Sequence, residues 1–169
     1  MYAENMPTPC AFNDTKKYTV RHNPFMFYAD INGDMKYCSR HIVPLNKLQA
    51  DLDSDNLPNF VFISPNICND MHNCSMATGD KWLSKSVPMI LSSSEFTKQR
   101  SLLVITWDEG SQSDNRVLTI FLGSAAKESY SSSKPYNHFS LFRTIEYLWD
   151  LKPITNNDKH ASIMKDMLK

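Results

Sequence analysis

The run from Ser101 to Trp107 is apolar and β-prone, and it stops abruptly at Asp108-Glu109-Gly110. Another β-prone run, Arg116 to Leu122, begins a few residues later. A parallel crossover needs about a dozen residues or more, so these two runs are expected to pair antiparallel if they are neighbours. A further run, Asn59-Phe60-Val61-Phe62-Ile63-Ser64, is closed by Pro65. Strand runs alternating with helical segments predict an α/β layered fold.

The helical segments are read from apolar spacing. Leu45, Leu48 and Leu52 predict a short helix over 45–52. After Gly79-Asp80, residues Trp82, Leu83, Val87, Ile90 and Leu91 share one face, with Asp80 as the N-cap. Pro88 inside that pattern implies a kink or an early stop. His138 to Leu151 is amphipathic, with Leu141, Ile145, Leu148 and Trp149 expected inward, and Pro153 ends it. Residues 158–168 suggest a last short helix. Residues 1–44 carry prolines at 7, 9, 24 and 44 and aromatics at 25, 27 and 28. That mixture predicts an irregular but packed segment. The chain is therefore expected to be a single domain, with 1–44 irregular and 45–169 forming the α/β part.

A chain of 169 residues can bury a substantial core. Its formal net charge is zero, so no field of one sign points to nucleic acid or to a membrane surface. No apolar run approaches the roughly 18 residues of a membrane-spanning helix. With four glycines in all, Gly-rich phosphate loops are missing. The four cysteines are Cys10, Cys38, Cys68 and Cys74. They permit two disulfides in any of three pairings. Cys68 and Cys74 can staple a short loop, which leaves Cys10 with Cys38. Zinc binding and buried reduced thiols are the alternatives. Disulfides would suggest an oxidising compartment.

Three constellations carry the candidate chemistry. Asp108-Glu109 is the first. Adjacent carboxylates repel, and they sit most easily on a solvated turn or beside a cation. Strand neighbours face opposite ways, so both reach one ion only if the backbone turns, which Gly110 permits. Carboxylates suit Mg, Ca, Mn or Zn. The second is Asn69-Asp70-Met71-His72-Asn73. In an extended loop Asp70 and His72 lie on one side, as a general acid/base unit or as a ligand with its supporting partner. Simple loop capping is the other reading. The third is Tyr136-Asn137-His138-Phe139-Ser140 at a helix start, where free N–H groups favour anions. The other reading has Asn137 as a plain cap and His138 incidental. If the 59–64 and 101–107 strands are parallel, Asp70, His72, Asp108 and Glu109 share one sheet edge, and the 123–137 loop can return His138 to it. Arg21-His22-Asn23-Pro24 is read as a structural turn or a rim.

In this order, several segments resemble the phosphoesterase family that contains bacterial phospholipases C and acid phosphatases, within the alkaline-phosphatase-like superfamily. They are Glu4-Asn5-Met6-Pro7, Arg21-His22-Asn23-Pro24-Phe25, Ile63-Ser64-Pro65-Asn66, Asn69-Asp70-Met71-His72, Gly79-Asp80-Lys81-Trp82-Leu83, Thr106-Trp107-Asp108-Glu109-Gly110 and Asn137-His138-Phe139-Ser140-Leu141. The resemblance implies a three-layer α/β/α sandwich around a mixed sheet. It implies a divalent metal ion held in part by Asp108 and Glu109. His72 and His138 would line a phosphate pocket, with Asp70 beside His72. The implied substrates are phosphate esters, either monoesters or phospholipid head groups. Export from the cytoplasm is implied as well, in agreement with the disulfide reading.

The family draws a Glu-Asn metal-binding pair and a Ser or Thr nucleophile from an upstream region. This sequence is expected to begin after that region, because the Met-Pro context of Glu4-Asn5 matches a later segment. The upstream part of the same enzyme would then be needed for turnover. The competing expectation is a secreted, non-catalytic binding module, or an inactive shortened homologue, on the same fold.

Overall fold

The computed structural model describes residues 1–169. The chain is mixed α/β and resolves into two compact units, Met1–Lys98 and Gln99–Lys169.

In the first unit, strand β1 (Tyr2–Ala3) opens the chain and is followed by 3-10 turns at Val20–His22 and Pro24–Phe27. Helices α1 (Ala29–Asn32) and α2 (Met35–His41) lead to β2 (Val43–Pro44). Helix α3 (Leu48–Asp53) follows a 3-10 turn at Leu45–Lys47, then come β3 (Ile63–Ser64), α4 (Met76–Leu91) and α5 (Ser94–Thr97). The three strands form a parallel sheet in the order β2-β1-β3. The second residue of the chain is thus the centre of a sheet, with Tyr2 opposite both Val43 and Ile63. Irregularity was the expectation for 1–44. This segment instead supplies two of the three strands, while its packing is as expected, with Ala3, Met6, Tyr18, Met26 and Ile42 in one core.

Two disulfides fasten this unit, Cys10–Cys38 and Cys68–Cys74. No cysteine is left free, so the zinc and reduced-thiol readings fall. The 59–64 run narrows to two strand residues. Helix α4 begins at Met76, not after Asp80, so Asp80 lies inside it. The N-terminal Ser75 hydroxyl pairs with that of Thr78 at 3.2 Å. Gly79 is an interior helical residue, buried where the helix meets the backbone of Asn69. The helix continues through Pro88, which sits in its last turn.

In the second unit, β4 (Leu103–Thr106) and β5 (Thr119–Leu122) pair antiparallel as the short connection requires, with Thr106 opposite Thr119. Strands β3 and β4 belong to different sheets, so the expectation of one shared parallel edge is not met. Helix α6 runs His138–Leu148, and α7 runs Asn156–His160 ahead of a 3-10 turn at Lys165–Met167. The 158–168 prediction therefore divides into two short pieces.

The inward face of α6 also departs from expectation. Leu148 and Trp149 are exposed, while Ser140, Thr144 and Glu146 are buried. Thr144 donates its hydroxyl to the Ser140 carbonyl at 2.7 Å and accepts from the Met164 amide at 2.9 Å. Arg143 donates to Glu146 at 3.2 Å. Thr144 can turn inward because its hydroxyl is satisfied as donor and as acceptor, and Glu146 is bonded through Oε2. Leu141 does pack inward, against Phe121, Ala126 and Met164. No helix is long and apolar enough to cross a membrane.

Candidate active site

The loop that follows β3 is built by side chains bonding to backbone. Asn66, buried, accepts from the amides of Cys68 and Asn69 at 3.0 Å each through its Oδ1. Glu4, just past the end of β1, accepts from the Asn66 amide at 2.9 Å and from Asn69 Nδ2 at 2.9 Å. Asn5 Oδ1 accepts from Asn66 Nδ2 at 2.7 Å. The Glu4-Asn5 pair therefore braces this loop. The Cys68–Cys74 bond then closes it.

Asp70 is oriented twice on that scaffold. Its Oδ1 accepts from the His72 amide at 2.8 Å. Its Oδ2 lies 2.9 Å from His22 Nδ1, and both side chains are partly exposed. The loop is turned, not extended: Met71 adopts φ 74° and its amide donates to the Cys68 carbonyl. Asp70 meets His72 through its backbone amide and pairs its side chain with His22 instead, while the rings of His22 and His72 meet edge to face at 5.7 Å. His72 itself is exposed.

His22, expected on a structural turn or a rim, meets Asp70 instead. It ends the Val20–His22 turn and is followed by buried Asn23, which donates to the Tyr18 hydroxyl at 3.2 Å. Its separation from Asp70 along the chain hides the pairing. The signal was the Arg21-His22-Asn23-Pro24 motif, whose Pro24 starts the next 3-10 turn at the first position, where a missing N–H costs nothing.

The second unit carries the other candidates. Asp108 and Glu109 stand exposed just beyond β4. Gly110 is placed there by crowding, not by a left-handed backbone. A Cβ at that position would meet the backbone nitrogen of Arg116 at 2.8 Å. The Gly110 amide donates to Asn115 Oδ1 at 2.7 Å, which closes the turn. Asn137 caps α6 by accepting from the Ser140 amide at 3.0 Å, with Ser140 Oγ reciprocating as in a capping box. His138, the first helical residue, places Nε2 at 2.7 Å from the Asp108 carbonyl oxygen. His138 is thus tied to the carboxylate turn and is more than a neighbour of the cap.

The fit of these residues to a metal is partial. Asp108 and Glu109 offer hard oxygen donors on a solvent-facing turn, the donor type for a divalent ion. No group of three or more His, Cys, Asp or Glu side chains gathers into a cage. The pair by itself would hold an ion weakly.

Comparison with known proteins gives these groups a context. Residues 1–152 match the model of the Phosphoesterase family. The chain is 28 % identical to the phosphate-repressible acid phosphatase of Penicillium chrysogenum, over 88 % of this chain and 37 % of that protein. It is 27 % identical to an acid phosphatase of Aspergillus fumigatus, over 97 % of this chain and 39 % of that protein. It is 28 % identical to the phosphatidylinositol-3-phosphatase of Mycobacterium tuberculosis, over 98 % of this chain and 53 % of that protein. The chain thus spans well under two thirds of the length of these curated relatives. The match runs from the brace at Glu4 through the Asp70 loop and the Asp108 turn to helix α6, and on that evidence the chain belongs to the phosphoesterase family.

Proposed function

We propose that this chain carries part of the active site of a phosphate-ester hydrolase, acting on esters of the kinds that its acid phosphatase and phosphatidylinositol-3-phosphatase relatives are named for. The observation that carries the reading is the 2.9 Å contact of His22 Nδ1 with Asp70, beside the His72 ring. A carboxylate that orients one imidazole next to another fixes which nitrogen carries hydrogen and where it points. Such a pair can bind phosphate oxygens and pass a proton to a leaving alcohol.

Asp108 and Glu109 would hold a divalent ion together with further oxygen ligands. When bound, that ion would supply positive charge at the Asp108–Glu109 turn, able to offset the negative charge of an anion there. His138 uses Nε2 on the Asp108 carbonyl, and when protonated it can offer Nδ1–H to an anion. The attacking hydroxyl would come from a part of the enzyme outside these segments, with water then cleaving the phosphoenzyme. The two disulfides support an extracytoplasmic location.

The test has two arms. Inorganic phosphate is titrated into the 169-residue chain while the histidine ring signals are followed by NMR. His22 and His72 are expected to respond, and Asp70→Asn is expected to weaken that response. In the protein that carries this segment, His72→Ala and Asp108→Ala are each expected to lower hydrolysis of p-nitrophenyl phosphate by about 100-fold or more. Near-normal turnover by either variant would sink the assignment. Phosphate binding without hydrolysis under any divalent metal would favour a non-catalytic binding module.

A further inference from the structure

The three parallel strands of the first unit end in register, with Ala3 beside Pro44 and beside Ser64. Ligands in α/β proteins gather outside such carboxyl ends. A cavity of about 570 Å³ opens there, within the range of small-molecule sites. Its floor is apolar: Met6, Leu48 and Ile90 are all buried. Trp82, Ser86 and Met89 form one wall from a single face of α4, following the helical repeat. Exposed Asn46 stands at the rim.

Two features decide what such a cavity can hold. The first is charge. No Lys, Arg or His lines it, and its one ionised group is the carboxylate of Glu4. Burying a phosphate beside a carboxylate with no cation nearby is strongly disfavoured. The second is position. The same Glu4 grips the loop that carries Asp70 and His72, through the Asn66 amide and Asn69 Nδ2. An apolar cavity that rejects anions therefore adjoins the brace of a loop suited to receive one.

The geometry points to this cavity as the leaving-group subsite, taking the uncharged, apolar-bodied or aromatic alcohol of a phosphate ester while its phosphate lies on the His22–Asp70–His72 loop. The assignment rests on the phosphate-ester reading above. The body of the alcohol packs on Met6, Leu48 and Trp82. Ser86 and Asn46 are placed to bond a hydroxyl.

The test uses the 169-residue chain labelled with 13C at the methionine methyl groups and 15N at the indole nitrogens. The probes are 2-naphthol, glycerol and inorganic phosphate, each added alone. 2-Naphthol is expected to shift Met6, Met89 and Trp82, and glycerol to bind about tenfold more weakly or worse. Phosphate is expected to shift His22 and His72 and to leave the cavity signals in place. Ser86→Phe, which fills the cavity, is expected to weaken 2-naphthol binding by about tenfold while leaving the phosphate response intact. Asn46→Trp, at the exposed rim, is the second blocking variant in case Ser86→Phe fails to fold. Unchanged 2-naphthol binding in a folded blocking variant, or 2-naphthol shifts confined to other methionines, overturns the subsite. Normal 2-naphthol binding with no phosphate response at His22 or His72 overturns the phosphate-ester reading, and the leaving-group role with it.

Discussion

His138 Nε2 lies 2.7 Å from the backbone carbonyl oxygen of Asp108. A carbonyl oxygen only accepts, so Nε2 must carry the hydrogen. The neutral imidazole is then the Nε2–H tautomer, with its lone pair on Nδ1. Long-range 1H–15N correlation spectra are expected to report that tautomer for His138. A neutral ring with hydrogen on Nδ1 would break the proposed link between α6 and the carboxylate turn. Because the link begins at the capped first turn of α6, Asn137→Ala is expected to cost about 1 kcal/mol of stability by urea denaturation and to broaden the His138 signals.

Gly79 packs against the backbone of the catalytic-loop candidate. A Cβ there would come to 2.8 Å from the Asn69 carbonyl oxygen and would also press on the Met71 side chain. The methionine can move, but the carbonyl belongs to the braced loop and cannot do so cheaply. Gly79→Ala is expected to lose about 1–3 kcal/mol despite alanine's higher helix propensity, and to shift the Asp70 and His72 amide signals. An equally stable variant with an unmoved loop would show that the contact is not limiting.

The readability of this chain divides along physical lines. The antiparallel pairing of β4 with β5 could be read because a short connection leaves no other choice. The α6 cap at Asn137 could be read because its chemistry is local. The strand at Tyr2–Ala3 could not: two residues carry no periodicity, and only pairing with Val43 and Ile63 makes them a strand. The α6 face was misjudged because apolar spacing says nothing of Thr144 and Glu146 finding partners inside. The candidate site was legible as types and order, in Asp70, His72, Asp108, Glu109 and His138. His22 was not, since its meeting with Asp70 is a tertiary contact between distant segments.

The two disulfides are expected to differ in what they stabilise. Cys10–Cys38 spans 28 residues and Cys68–Cys74 spans 6. The loop-closure entropy of the unfolded chain scales with the logarithm of that length, giving about 3.6 kcal/mol for the first and about 2.2 for the second. Replacing Cys10 and Cys38 by alanine is expected to cause the larger loss in denaturant midpoint. Replacing Cys68 and Cys74 is expected to cause the larger loss of the phosphate response at His72, because that bond closes the site loop. A reversed order in either measurement would contradict this division of roles.

Asp166 anchors the loop that leads into α6. It accepts from Tyr130 at 3.0 Å, from Ser132 at 2.6 Å and from the Tyr136 hydroxyl, with Lys134 Nζ at 3.7 Å. The hydrogen bonds from Ser132 and Tyr136 hold the Asp166 carboxyl well below the usual carboxylate range. Burial, followed by the bond to Asp166, pushes the Tyr136 hydroxyl up to about 12. A depressed carboxyl contributes stability that is present above its unfolded value near 4 and is lost as pH falls toward its folded one. A raised phenol contributes stability that is present below its unfolded value near 10 and is lost as pH rises toward 12. The 130–136 loop is therefore expected to stay anchored between about pH 4 and pH 10 and to loosen at both extremes. In Asp166→Asn the acid-side loosening should vanish, and Tyr136, followed through its ring carbon signals, should titrate closer to the ordinary tyrosine value. A Tyr136 titration unchanged by Asp166→Asn would show that burial alone sets it and that Asp166 does not hold the loop.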